Sequence, residues 1–267
     1  MHKIALILIT LISAGDVCSQ NIADTIKKLA IDCPDWTKAN QSLYNRLKNY
    51  RVICIGEMHG TQEPAEFLTG LARSFVSNKR KVMVGFEIPA GEMADFIEQN
   101  DSLNLSRSEF FLKGPSDGRN SIAWYNAINT CRKMGAGFCF FDSGSDKGMY
   151  DRVLECYQSD TSAVLITLSG NVHNKLLPCK DIKTMGCYLA EKFGEKVFSI
   201  NHIYNEGTMY NRSSQGLTLR RAAPKNNAFS TSTSYGAYFI PNIFNQTDGY
   251  SAYFYTKTVK ASLPWKK

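Results

Sequence analysis

The stretch Arg51-Val52-Ile53-Cys54-Ile55-Gly56-Glu57 is apolar almost without a break and ends on a glycine and a carboxylate. A strand with one wet face alternates apolar and polar residues, whereas a strand covered on both faces reads as a continuous apolar run. Residues 62–77 then place Ala65, Phe67, Leu68, Leu71, Ala72 and Phe75 at helical spacing. Thr61 stands where a cap belongs, and Pro64 falls in the first turn, where its missing N–H does least harm. Working outward, further continuous strands are expected over 81–88, 137–142, 163–170 and 196–204. Helices are expected over 91–99, 121–134, 146–158 and 185–193. This alternation predicts an α/β fold, a mainly parallel sheet flanked by helices on both faces.

Two stretches break the rhythm. Residues 103–120 read as an insertion over the sheet edge, and the polar residues 207–234 as a long loop. Two aromatic runs, 235–240 and 250–257, are expected to add to the same sheet as a C-terminal antiparallel extension. Residues 20–267 are thus expected to form one domain.

The 267 residues, 43% hydrophobic and 21% charged, exclude collagen-like, low-complexity and wholly disordered chains. The net charge of +7 is mild. The basic runs Lys79-Arg80-Lys81 and Arg220-Arg221 lack interleaved aromatics, so no nucleic-acid partner is expected. Met1-His2-Lys3 followed by an apolar run over 4–14 reads as a secretory signal peptide, cleaved near Ser19. A secreted or periplasmic protein is expected, with no stable membrane span.

Cleavage removes Cys18 and leaves Cys33, Cys54, Cys131, Cys139, Cys156, Cys179 and Cys187, an odd number that cannot pair completely. Cys54 and Cys139 lie inside strand-like runs and read as buried thiols, while Cys179 and Cys187 flank a polar loop and are the pair easiest to bridge. No Cys-x-x-Cys occurs, so neither a zinc knuckle nor a thioredoxin-type site is indicated.

In open α/β sheets the ligand crevice lies beyond the carboxyl ends of the strands. Here those ends carry Gly56-Glu57-Met58-His59-Gly60, then Glu87, then Asp142, then Ser169-Gly170-Asn171-Val172-His173. The three histidines left after cleavage, His59, His173 and His202, all fall in or just after expected strands. An extended backbone turns Glu57 and His59 to the same side. A carboxylate beside an imidazole fixes its tautomer and raises its basicity, which makes His59 a candidate general base toward water. Glu87 can orient it, accept a proton or ligate a metal. His173 can polarise a carbonyl, protonate a leaving group or complete a metal site. His202, in the alternating Asn201-His202-Ile203, reads as structural.

The motifs Gly56-Glu57-Met58-His59-Gly60-Thr61, Gly85-Phe86-Glu87, Asp117-Gly118-Arg119-Asn120-Ser121 and Gly170-Asn171-Val172-His173 resemble, in order and spacing, the erythromycin esterase/ChaN-like/Tiki superfamily. The likeness runs from about residue 50 to residue 260. It implies a reaction centre of Glu57, His59, Glu87 and His173, the same four being the metal candidates. Arg119 is then an anion or oxyanion partner, and Asp142 and Asn171 are substrate-binding residues. In the esterase branch such residues activate water on a lactone. The Tiki branch implies metal-dependent peptide cleavage, and the ChaN branch haem or iron binding. The one-residue gap between Glu57 and His59 is nearer the ChaN spacing, and Ser251 stands where an acidic residue is expected. No counterpart of the esterases' helical lid is evident.

The expected function is an exported hydrolase acting on an ester, lactone or peptide bond of a small molecule or peptide. Water attacks directly, since no Gly-x-Ser-x-Gly elbow is present. The alternative is a haem- or iron-binding module covered by Tyr204, Tyr210, Tyr235 and Tyr250. A divalent metal or haem is the cofactor the resemblance leaves open.

Overall fold

A computed structural model describes residues 28–114, 117–223, 237–242 and 246–265. The expected signal peptide, over 1–19, lies outside the described residues. Strand β1 (Ile31–Asp32) and helix α1 (Gln41–Leu47) precede β2 (Val52–Glu57), α2 (Glu63–Ser77) and β3 (Val82–Phe86). Three short helices follow, α3 (Ala94–Gln99), α4 (Ser102–Arg107) and α5 (Glu109–Lys113). Then come α6 (Ile122–Lys133), β4 (Gly137–Phe140), α7 (Asp146–Ser159), β5 (Val164–Gly170) and α8 (Met185–Phe193). The chain continues through β6 (Val197–Ser213), β7 (Gly216–Arg221), β8 (Ala237–Pro241) and β9 (Ala252–Val259).

The strands form one sheet in the order β1-β8-β9-β6-β2-β5-β3-β4, with β7 paired to β6 alone. β2 runs parallel to β5 and β6, and β3 runs parallel to β4 and β5. The continuous apolar runs are explained by burial on both sides. Ile53, Ile55, Val84, Ile166 and Leu168 pack under α1, α2 and α6, while Val52, Cys54, Met83 and Leu165 pack under α7 and α8. Ser121, Ser145 and Thr184 cap α6, α7 and α8 through their hydroxyls.

Thr61 does not cap α2; its hydroxyl donates to Met58 O at 2.9 Å. The start of α2 is met by a C-terminal strap instead. Gln62 N donates to Lys260 O at 3.0 Å, and Lys260 N donates to Glu63 Oε1 at 2.9 Å. The strap continues across the start of α6, where Ile122 N donates to Leu263 O and Trp265 N to Asn120 O.

The expected insertion over 103–120 contains α4 and α5, whose Phe110 and Phe111 are buried. The expected loop over 207–234 is largely a hairpin: β6 runs on to Ser213 and returns as β7, while residues 224–236 lie outside the described residues. Its polar residues mislead because β7 pairs to β6 alone and needs no apolar run. The antiparallel extension is present in β8 and β1, whereas β9 itself joins β6 in parallel.

The cysteines also differ from expectation. Cys139 and Cys156 are disulfide-bonded, their Cα atoms 5.8 Å apart, because α7 folds back along β4 and brings the two residues together. Cys179 and Cys187 are free, as are Cys33, Cys54 and Cys131. Burial pushes the thiol of Cys54 up to about 11, so it is inert.

His202 is structural, as its alternating strand suggests. It is buried in β6, stacks on Phe254 at 5.3 Å, and its Nε2 lies 2.9 Å from Thr256 Oγ1. Burial pushes its pKa down to about 3. The folded form therefore keeps it neutral while the unfolded chain protonates it below about pH 6.5. Its contribution is present above that pH and is lost as the pH falls toward 3. Unfolding in urea should show a loss of about 2 kcal/mol between pH 7 and pH 5 from this group. His202→Gln, which keeps a partner for Thr256, should flatten that slope; an unchanged slope would refute the assignment.

Candidate functional site

The register of β2 on β5 sets Glu57 beside Gly170, so the ends of the two central strands meet. Glu87 follows β3 directly and its N–H donates to Leu168 O of β5. Asp142 follows β4 and its N–H donates to Ile88 O. His173 sits in the short turn Asn171–Asn174 that leaves β5. Parallel pairing thus gathers Glu57, His59, Glu87, Asp142 and His173 at one sheet rim.

Glu57 and His59 meet as their spacing predicts. His59 Nδ1 lies 2.7 Å from Glu57 Oε1, and the other carboxylate oxygen accepts from Trp124 Nε1 at 3.3 Å. Burial opposes charge on the His59 imidazole. The bond to Glu57 and the nearby charges of Glu57, Glu87 and Asp117 outweigh it and hold the pKa above the ordinary value. Glu87 lies between the two histidines, its Oε2 3.9 Å from His59 Nε2 and its Oε1 4.0 Å from His173 Nε2. Glu57 has no side-chain exposure, while His59 and His173 retain 20% and 31%. The imidazoles, not the carboxylate behind His59, are therefore the groups that reach solvent.

Arg119, expected to meet an anion or oxyanion, is bonded to carboxylates of the protein itself. Its Nη1 donates to Glu87 Oε1 at 3.0 Å, to Glu87 O at 2.9 Å and to Asp142 Oδ2 at 2.8 Å, and its Nε donates to Asp117 Oδ2 at 2.9 Å. A guanidinium shared among three carboxylates is a brace for the site. Asp142 is correspondingly a partner of Arg119. Asn171 packs against Gly56, and its carbonyl accepts from Tyr250 Oη at 2.9 Å.

The two loops that carry His59 and Arg119 touch at glycines. Gly60 (φ 87) and Gly118 (φ 99) lie in the left-handed region. A Cβ on Gly60 would fall 1.6 Å from Tyr210 O, and one on Gly118 would fall 2.7 Å from Gly60 Cα. The β6–β7 hairpin closes over them, with Asn211 Nδ2 donating to His59 O at 3.2 Å.

Solved structures share this architecture. A protein from Bacillus cereus superposes with a TM-score of 0.66 at 12% identity, covering 92% of this chain and 99% of its own. A succinoglycan biosynthesis protein gives 0.65 at 10% identity, over 92% and 98% of the two chains. An erythromycin esterase mutant in its open conformation gives 0.54 at 9% identity, over 84% of this chain and 98% of that one. The fold is shared with an erythromycin esterase. At such identities the likeness is one of fold alone. No family model and no curated protein matches the sequence.

The four metal candidates do not form a ligand set. Among the described residues no group of three or more His, Cys, Asp or Glu side chains is placed to hold a metal ion. Both oxygens of Glu57 are engaged, Glu87 is held by Arg119 and by Gly170 N at 2.7 Å, and the guanidinium already supplies the cation between Glu87 and Asp142. Of the tyrosines expected to cover a porphyrin, Tyr204 and Tyr250 are buried in packing clusters and Tyr235 lies outside the described residues. Among the described residues no helix is long and apolar enough to cross a membrane.

Two site residues escape the sequence reading. Trp124 reads as one more apolar position of α6, although a buried indole N–H needs an acceptor and so signals a polar neighbour. Asp146 reads as an ordinary acid at a helix start. A cavity of about 830 Å³ lies apart from these residues, between α2 and α6.

Proposed function

We propose that this protein is a hydrolase in which His59, held by Glu57, takes a proton from water that attacks the carbonyl of an ester, lactone or peptide bond. The observation that carries the reading is the buried Glu57–His59 pair, 2.7 Å apart. It holds the proton on Nδ1 and leaves Nε2 as the basic atom, beside Glu87 and Gly170. Direct attack by water fits the neighbouring strand end, where Ser169 is fully buried and its hydroxyl has no hydrogen-bond partner among the described residues. The basic N-terminal segment with its apolar run supports action outside the cytoplasm. The fold shared with an erythromycin esterase supports acyl hydrolysis as the class. His59→Gln should lower turnover across a panel of esters, lactones and peptides by at least about 100-fold. Its melting temperature should stay near that of the wild type. Full activity in that variant would overturn the assignment.

A further inference from the structure

The site holds a second carboxylate–imidazole pair that the water-activating step does not use. His173 Nδ1 lies 2.8 Å from Asp146 Oδ1. The same oxygen accepts from Met185 N at 2.8 Å, so it is pinned between the starts of α7 and α8. With Nδ1 committed to Asp146, the His173 ring presents Nε2 on the Glu87 side, the side His59 also faces. Gly170 lies between the rings. A Cβ there would come within 3.2 Å of His59 Nε2 and 3.5 Å of His173 Cδ2. Its φ of −51° suits any residue, so what glycine supplies is room between two imidazoles. A carbonyl group placed over Gly170 is within reach of both.

We propose that Asp146 is a positioning residue that sets His173 as the proton donor to the leaving group, an inference that rests on the hydrolytic reading above. His59 Nε2 takes a proton as the water oxygen bonds to the carbonyl carbon. When the tetrahedral centre collapses, the bond to the leaving oxygen or nitrogen breaks and that atom takes the proton from His173 Nε2. The carboxylate of Asp146 holds Nδ1 and so keeps Nε2 turned to the side from which that proton is given. One imidazole then carries the proton the other has lost, and a proton passing between them through solvent restores the resting site.

The leaving group provides the test. An alkoxide needs protonation, whereas p-nitrophenolate does not. Asp146→Asn keeps an oxygen acceptor for both His173 and Met185 and removes only the charge. With one acyl group presented as its ethyl and p-nitrophenyl esters, Asp146→Asn should lose at least about tenfold in kcat on the ethyl ester. It should stay within roughly threefold of wild type on the p-nitrophenyl ester, with KM little changed. His173→Gln should show the same split more strongly, and it carries the test should the Asp146 variant fail to fold. Equal losses on both esters would make His173 an oxyanion donor or Asp146 a structural tie, and would overturn the proposal, as would unchanged rates. A wild-type protein inactive on both esters would overturn the hydrolytic reading itself.

Discussion

Glu57→Gln should reduce turnover by about 10⁴-fold, the size of effect seen when the carboxylate behind a catalytic imidazole becomes an amide. The cause is tautomeric. Glutamine can offer its own N–H to His59 Nδ1, which forces the ring proton onto Nε2 and removes the lone pair that must accept from water. Trp124 Nε1 keeps an acceptor in the glutamine oxygen, so packing around position 57 is preserved. The pH profile should change as well. Because the folded protein holds the His59 pKa above its usual value, the acid limb of the wild-type rate should lie above about pH 6.5. Activity should rise as the pH passes through it. In Glu57→Gln the residual activity should show that limb at lower pH, since the carboxylate that favours the charged ring is gone. A variant with wild-type kcat/KM and an unmoved limb would remove Glu57 from the mechanism.

Arg119→Met should be the most destabilising change in the site, costing about 3–5 kcal/mol at neutral pH. Asp117, Glu87 and Asp142 would be left facing one another with no counter-charge, largely shielded from water. Burial works against the Asp117 carboxylate, but the bond and charge of Arg119 overcome it and hold its pKa below the ordinary value. That contribution is present above about pH 3.9 and is lost as the pH falls through the depressed value. In the variant the sign reverses: protonation relieves the repulsion, so the deficit measured by urea unfolding should shrink between pH 7 and pH 4.5. A loss below about 1 kcal/mol would mean that solvent screens the cluster and that Arg119 is no brace.

The sheet was legible because its strands are buried on both faces. The run from Val52 to Ile55 has no solvent-facing position to interrupt it, and each such run marks its own strand end. Glu57 and His59 could be paired from spacing alone because the contact is local. Arg119 shows the limit of that reading. Its residue type suggests a free cation, yet its partners come from two strand ends 32 and 23 residues away in the chain. Asp146 and His173 are 27 apart, and nothing local to either names the other. The Cys139–Cys156 bridge is hidden from the sequence for the same reason: a thiol in an apolar strand looks inert until the helix that returns over it is placed. The β6–β7 hairpin was hidden differently, since a ribbon that pairs to one strand carries no burial signature.

The strap over residues 260–265 bears on timing during biosynthesis. Ser262 N donates to Gly60 O at 2.8 Å, and Trp265 N donates to Asn120 O at 2.9 Å, so one segment fastens the loops of both His59 and Arg119. Those residues are synthesised after everything they fasten. A nascent chain can therefore build most of the sheet with its reactive loops still unfastened. In such a chain the loops of His59 and Arg119 are fastened only after the strands that carry them have been made.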